Sequence, residues 1–407
     1  MESQNNAVIV GGGLVGPLAA LAMADAGLSV TVVDAAPASK RKAPFDGRAY
    51  AFSYASIRML EALGLWSDLE DEAGPILDIK VTQGRPGAGA MPAFLHFDHS
   101  ELDEGPFGHM VEDRLLRAVL LKALAEHPSV TPLQGARVTS WEPGAVTTDA
   151  RAKAHRRLEA PLIIASDGRN SAVAEMASIA RQGWAYDQMS LVAAVEHEKS
   201  HDGVAHQFFA PAGPLAILPL SGNRSSIVWT ERADKAKQIQ ASTPAEYLAA
   251  LRPVFGSFLG EIELVGERYL FPLGLSLAEE IVAPRMVLAG DAAHGIHPLA
   301  GQGLNLGVRD AAALAEVVVE AHRRGEDIGA PDVLERYRRW RGFETALMAV
   351  TTDSINRLFS NDLGPMRTLR NLGMAALNRV PAAKRQIMAH AAGLTADRPR
   401  LLKGLPL

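Results

Sequence analysis

Cysteine is absent from all 407 residues, which excludes a disulfide framework, a thiolate metal site, a thiol nucleophile and a redox disulfide. Long hydrophobic runs are missing too. The most apolar late stretch, Ala311 to Val319, is far short of the roughly 20 residues a membrane helix needs, so any membrane contact is expected to be peripheral. The opening MESQNNAVIV lacks the basic region and small-residue cleavage site of a secretory signal and reads as a strand. An excess of positive charge is also lacking: the formal net charge is -5, with a pI near 6.2, which argues against nucleic acid as a partner. No repeat of fixed period and no long low-complexity tract is visible. The Gly-, Ala- and Pro-rich stretch from Gly84 to Pro92 reads as a mobile connection rather than a domain linker. A cytoplasmic location fits these absences.

What is present is an ordinary globular composition, 48% hydrophobic and 21% charged, enough for a large core in two or three folding units. The apolar run Ala7 to Val10 enters Gly11-Gly12-Gly13-Leu14-Val15-Gly16, followed by an Ala/Leu-rich helix from Leu18 to Ala26 and a second strand from Ser29 to Val33 that ends at Asp34. In such a βαβ unit Gly11 permits the tight turn, Gly13 lets backbone approach a pyrophosphate and Gly16 allows close helix-to-strand packing. The helix amino terminus offers free N–H groups to negative charge. Asp34, about 20 residues on, stands where a carboxylate accepts from an adenosine ribose and disfavours a 2'-phosphate. The unit predicts a dinucleotide site and leaves FAD or NAD open.

Two later strands also end in a carboxylate at a turn. Leu162 to Ala165 runs into Ser166-Asp167-Gly168, and Met286 to Ala289 runs into Gly290-Asp291-Ala292-Ala293-His294. The second continues through His297-Pro298-Leu299-Ala300-Gly301-Gln302-Gly303-Leu304-Asn305 to Arg309-Asp310 and a long Ala-rich helix. That is a glycine-rich loop feeding a helix amino terminus, suited to an anionic or electron-rich part of a cofactor. Taken singly, an Asp-Gly or Gly-Asp pair is a turn or cap residue; three such sites in order point to function. His294 and His297 have i, i+3 spacing, but Pro298 and the glycines break any helix that would align them, and no metal is expected.

With these three segments the chain resembles the class A FAD-dependent aromatic monooxygenases, the para-hydroxybenzoate hydroxylase fold. The run from His297 to Asp310 is similar to the motif of the ubiquinone-biosynthesis hydroxylases within it. The resemblance covers nearly the whole chain, including Asp353, Leu358-Phe359, Gly393-Leu394 and Pro399. It implies an α/β fold: a Rossmann-like FAD-binding domain, an inserted antiparallel substrate sheet and a helical carboxy-terminal tail. The expected division is 1–75, 105–180 and 272–330 for FAD, 76–104 and 181–271 for the sheet, and 331–407 for the tail. It further implies that Asp291 hydrogen-bonds the ribityl or pyrophosphate region and that Gly301, Gln302, Gly303, Leu304 and Asn305 lie under the isoalloxazine, with Pro298 in the same loop. Arg48, in Asp46-Gly47-Arg48-Ala49, resembles the arginine that reaches the pyrophosphate, with Asp167 supporting that arginine and the nicotinamide donor. The helix from Glu112 carries the family leucines at Leu116 and Leu120, but many relatives have Arg or Gln where this chain has Asp113, and Arg117, one turn on, is read as the substitute.

The activity so implied uses NADH or NADPH and O2 to hydroxylate the aromatic ring of a polyprenylated phenol in ubiquinone biosynthesis, through a C4a-hydroperoxyflavin; no catalytic acid or base is identifiable. A hydroxylase of small phenolic acids and a flavin-binding scaffold in a biosynthetic complex are the alternatives. Alternating stretches at Leu191 to His197, Val204 to Phe209, Leu215 to Leu220, Ser225 to Thr230 and Glu263 to Leu270 predict the antiparallel sheet. Phe208, Phe209, Leu218, Pro219, Trp229 and Phe271 are candidates to line its cavity. In the tail between residues 351 and 390, Arg357, Arg367, Arg370, Arg379, Lys384 and Arg385 face only Asp353 and Asp362. A basic amphipathic helix reads either as a membrane-surface element, on the inner face of the membrane, or as a solvated packing helix.

Overall fold

A computed structural model describes residues 5–37, 44–83, 95–101, 105–149, 156–210, 212–296, 301–359, 380–394 and 397–407. The Gly84 to Pro92 connection, the loop residues His297 to Ala300 and most of the basic tail segment lie outside them. The fold is α/β, with a six-stranded sheet, an eight-stranded sheet and two small three-stranded sheets.

Valine and isoleucine dominate the strands Ala7–Val10, Val30–Asp34 and Leu162–Ala165. Such continuous apolar runs suit parallel strands covered on both faces. These strands pair in parallel with one another, Met286–Leu288 joins on one side and Val130–Gln134 on the other. The helix Val15–Asp25 is buried on nearly every face, because it lies between this sheet and the 22-residue helix Gln302–Arg323. Glycine makes that crossing possible: a Cβ on Gly307 would come within 2.6 Å of Val15 Cγ2.

The eight-stranded sheet is antiparallel except where Val204–Ala210 meets Asp78–Gln83. Two 17-residue strands, Arg181–His197 and Ile262–Ala278, form its spine, with register irregularities at Ala185/Met189 and Val192/Ala194. The helices Ala233–Ala241 and Pro244–Phe255 cover one face; Thr243 and Glu246 form a capping box that starts the second. The small sheet Ala49–Ser53, Gly108–Glu112, Gly74–Ile76 sits between the two large sheets, its side chains sharing a cluster with Ala194, Leu218 and Val265. The chain closes with the helix Pro331–Phe359 and the shorter Pro381–Ala391. No helix among the described residues is long and apolar enough to cross a membrane.

Candidate functional site

Parallel register builds the site. Val10 is level with Val33 on one side and with Ala165 on the other, and Ala165 is level with Leu288. The residues that follow, Gly11, Asp34, Ser166-Asp167 and Ala289-Gly290-Asp291, therefore form one row along the carboxyl edge, where ligands gather in sheets of this kind.

The glycines of the first loop differ in what surrounds them. Gly11 has φ +115°, and a Cβ there would sit 2.3 Å from the Ser166 carbonyl oxygen; on Gly16 it would lie 2.0 Å from the Gly11 carbonyl. A Cβ on Gly12 would meet Asp34 Oδ2 at 2.4 Å, so Asp34 lies against the loop. Gly13 alone of these four faces open space. Leu14 occupies the N-cap and gives no side-chain cap, so the first N–H groups of Val15–Asp25 are left for another partner. Val15 packs against Gly290, whose φ is +63°.

Asp167 Oδ2 accepts from the Val173 amide at 3.3 Å, while its Oδ1 is buried with no hydrogen-bond partner among the described residues. Asp291 is exposed in a 3-10 turn, and sequence reasoning missed the side chain that holds the turn. Arg181 donates to the Ala292 carbonyl, to the Asp291 carbonyl at 3.3 Å, and to Ser276 Oγ and O. Burial lowers the Arg181 pKa, with Asp291 and Asp167 opposing. No sequence signal marks it, since it enters from the eight-stranded sheet.

Gly301 adopts the left-handed conformation, φ +64°, and caps Gln302–Arg323 without a side-chain bond; a Cβ there would stand 3.0 Å from that of Ala51. Gln302, Gly303 and Leu304 form the first turn, and among the described residues a Cβ on Gly303 would have only Ile296 Cγ1, at 4.0 Å, within reach. Asn305 is buried with both ends of its amide engaged. It donates to the carbonyls of Ala51 and Gly301 and accepts from the Ser53 amide and Ser56 Oγ, so it fastens the loop to the small sheet. Pro298 lies outside the described residues.

Arg48 is not supported by Asp167. Its Nε and Nη2 donate to Asp46 Oδ2 at 2.9 and 2.6 Å, its Nη2 is 3.1 Å from Asp113 Oδ2, and its guanidinium lies over the Tyr269 ring. The turn Asp46-Gly47-Arg48 is short enough for the first carboxylate to reach the third residue, and Asp113 meets the same guanidinium from the helix start. Burial pushes the Asp46 carboxyl upward, but the Arg48 hydrogen bonds outweigh it and hold the group below its usual range. Arg117 is drawn to the same place: its Nε donates to both oxygens of Asp113, at 2.8 and 2.9 Å. Tyr50 donates to Asp113 Oδ1, and burial followed by the Asp113 charge pushes the phenol up to about 12. Asp113, which in sequence weakened the reading of this helix, is the carboxylate that joins the two arginines.

Behind the row lies a charge network in which Asp310, His294, Arg309 and Arg341 are buried and Glu344 is partly exposed. Asp310 Oδ2 accepts from the Gly290 amide and lies 2.5 Å from His294 Nε2, and its Oδ1 accepts from Arg341 Nε at 2.7 Å. Arg341 and Arg309 both pair with Glu344. His294 Nε2 thus faces a buried carboxylate.

Of the proposed cavity residues, Phe208 and Trp229 point the other way. They belong to the core under Ala233–Ala241 and Pro244–Phe255, with Trp229 edge-on to Tyr247, because strand alternation sends them to the helix-covered face. Leu218 lies on the opposite side, near Ala49 and Ala51. Phe271 is exposed.

Comparison with known proteins places this geometry. The FAD binding domain family model matches residues 4–344. The chain is 44% identical over 404 residues to the ubiquinone hydroxylase UbiL of Rhodospirillum rubrum, covering 98% of this chain and 93% of that one. It is 36% identical over 393 residues to the 3-demethoxyubiquinol 3-hydroxylase of Escherichia coli K12, covering 95% and 98%. Among solved structures, p-nitrophenol 4-monooxygenase from Pseudomonas putida DLL-E4 superposes with a TM-score of 0.80 at 22% identity, over 98% of this chain and all of that one, a likeness of fold.

Proposed function

The chain belongs to the FAD binding domain family, as an FAD-dependent aromatic monooxygenase, and from that premise we propose that it hydroxylates the ring of a polyprenylated phenol in ubiquinone biosynthesis. NAD(P)H is the reductant and O2 the oxidant. The relatives that carry this reading are named for acting on ubiquinone or its demethoxy precursor.

One observation supports FAD on this chain's own residues. In a row of closely packed glycines Gly13 alone is open, it heads a helix without a side-chain cap, and a buried oxygen of Asp167 nearby has no partner among the described residues. In this reading the Gly11 to Gly16 loop holds the pyrophosphate at the helix amino terminus, Asp34 accepts from the adenosine ribose, and Arg48 and Arg117 add positive charge. Asp291 reaches the ribityl side, and the turn from Gly301 through Gln302, Gly303, Leu304 and Asn305 faces the ring system. When bound, FAD supplies the oxygen-activating chemistry with electrons from NAD(P)H. The protein orients the phenol and excludes water; the apolar cluster of Ala49, Ala51, Leu218, Val265 and Met388 beside Gly301 serves the second task. Residues 1–75, 105–180 and 272–330 form the cofactor part, 76–104 and 181–271 the substrate sheet, and 331–407 the tail.

A bilayer-resident substrate calls for contact with the membrane surface. The helix Pro331–Phe359 supports this: Phe343, Leu347 and Val350 are 78%, 45% and 64% exposed, and none of its exposed positions from Gly342 to Ser354 is charged. The test is to supply FAD-loaded protein with a prenylated phenol in liposomes or with a small phenolic acid. Ring hydroxylation coupled to NAD(P)H consumption is expected with the first alone; rapid turnover of the acid with none of the prenylphenol would refute the substrate assignment.

A further inference from the structure

We infer that Asp113 is a positioning residue that holds Arg48 and Arg117 together as one grip on the FAD diphosphate. The inference rests on the FAD reading above and adds to it the residue through which both arginines act.

Topology places the cluster. The helix Asp113–Glu126 leads into Val130–Gln134, which runs parallel to Val30–Asp34. A helix feeding a parallel strand runs back along the sheet, so its first turn, with Asp113 and Arg117, sits toward the carboxyl edge. Arg48 arrives from the small sheet, whose strand Ala49–Ser53 pairs with Gly108–Glu112; the Asp113 amide donates to the Arg48 carbonyl at 3.0 Å. Two separate elements therefore deliver one guanidinium each to a carboxylate that is 1% exposed.

The bonds to carboxylates do not use every guanidinium atom. Both bonds from Arg117 to Asp113 come from Nε, and those of Arg48 use Nε and Nη2. The terminal amino groups of Arg117 and Nη1 of Arg48 make none of these bonds to carboxylates, although the Tyr50 hydroxyl also contacts Arg117 and Tyr269 also contacts Arg48. Without the carboxylate, two like charges at this separation repel and turn toward solvent. With it, they stay side by side, in the arrangement that suits the several oxygens of a diphosphate.

Long-range charge and local positioning predict opposite signs for Asp113→Asn. Removing a negative charge near an anion site should tighten binding; releasing the two arginines should weaken it. The experiment titrates flavin-free full-length protein with FAD by fluorescence. Asp113→Asn, Arg48→Gln and Arg117→Gln are each expected to raise Kd about tenfold. In a double-mutant cycle, Asp113→Asn is expected to add less than about twofold to Arg117→Gln. A general loss of structure would not produce that coupling. Arg117→Lys keeps the charge but lacks an Nε to lie across both oxygens, and is expected to lose as much as Arg117→Gln; it serves as the test should Asp113→Asn fail to fold. Weaker binding in both arginine-to-glutamine variants, with Asp113→Asn or Arg117→Lys at or below the wild-type Kd, would overturn the role of Asp113 and leave the FAD reading of the arginines standing. Wild-type Kd in all four would overturn both.

Discussion

The carboxyl edge of the six-stranded sheet and the eight-stranded sheet beside it are built by opposite means. At the edge, each residue of the row ends or follows a strand of three to five residues, and parallel register alone brings Gly11, Asp34, Ser166 and Ala289 level. In the eight-stranded sheet the two 17-residue strands cross register irregularities, and the face that becomes core is the one covered by Ala233–Ala241 and Pro244–Phe255. Local chemistry writes the first region. Long-range packing writes the second, so a side chain there can be a cavity wall or a core residue with no change in its local sequence.

The largest expected effect tests the local side of this contrast. Gly16→Val places side-chain atoms beyond a Cβ position already 2.0 Å from the Gly11 carbonyl, so the purified variant is expected to lose flavin absorbance entirely. Retention of bound flavin would show that the loop tolerates what its packing forbids. Next is the network behind the edge: Asp310→Asn leaves Arg341 and His294 without their buried carboxylate, and breaking such a pair costs about 3–5 kcal/mol in denaturant unfolding. Because Asp310 also holds the Gly290 amide, weaker flavin binding should accompany the loss.

Trp229→Ala separates the two regions. It removes a side chain from the core under the helices, at a cost of about 3–4 kcal/mol, while FAD affinity and the flavin spectrum stay unchanged. A shifted spectrum would return Trp229 to the cavity. The smallest effect is in pH. Burial, with Lys80 adding, holds the His206 imidazole down to about 4, whereas an unfolded histidine titrates near 6.5. As pH falls the unfolded chain takes up this proton first, so stability declines from about pH 6.5 toward 4, by at most about 3 kcal/mol. His206→Phe, which keeps a ring stacked on Phe208 and tilted against Phe258, should flatten that part of the curve; an unchanged pH profile of urea midpoints would refute it.

Sequence alone determined the βαβ unit, the three strand ends at Gly11, Asp167 and Asp291 and the Gly301 turn, because a tight turn, a free helix terminus and an apolar parallel strand each follow from a few adjacent residues; the fold class followed from the family resemblance. Tertiary structure decided the rest. It gave Arg48 the partners Asp46 and Asp113 in place of Asp167, brought Arg181 across to hold the Asp291 turn, and turned Phe208 and Trp229 away from the cavity. It also made Asp113 the meeting point of two arginines 69 positions apart in number, Arg48 and Arg117. An ion pair forms wherever the fold brings opposite charges within reach, and a strand face is buried wherever another element covers it; neither choice is written in the neighbouring residues.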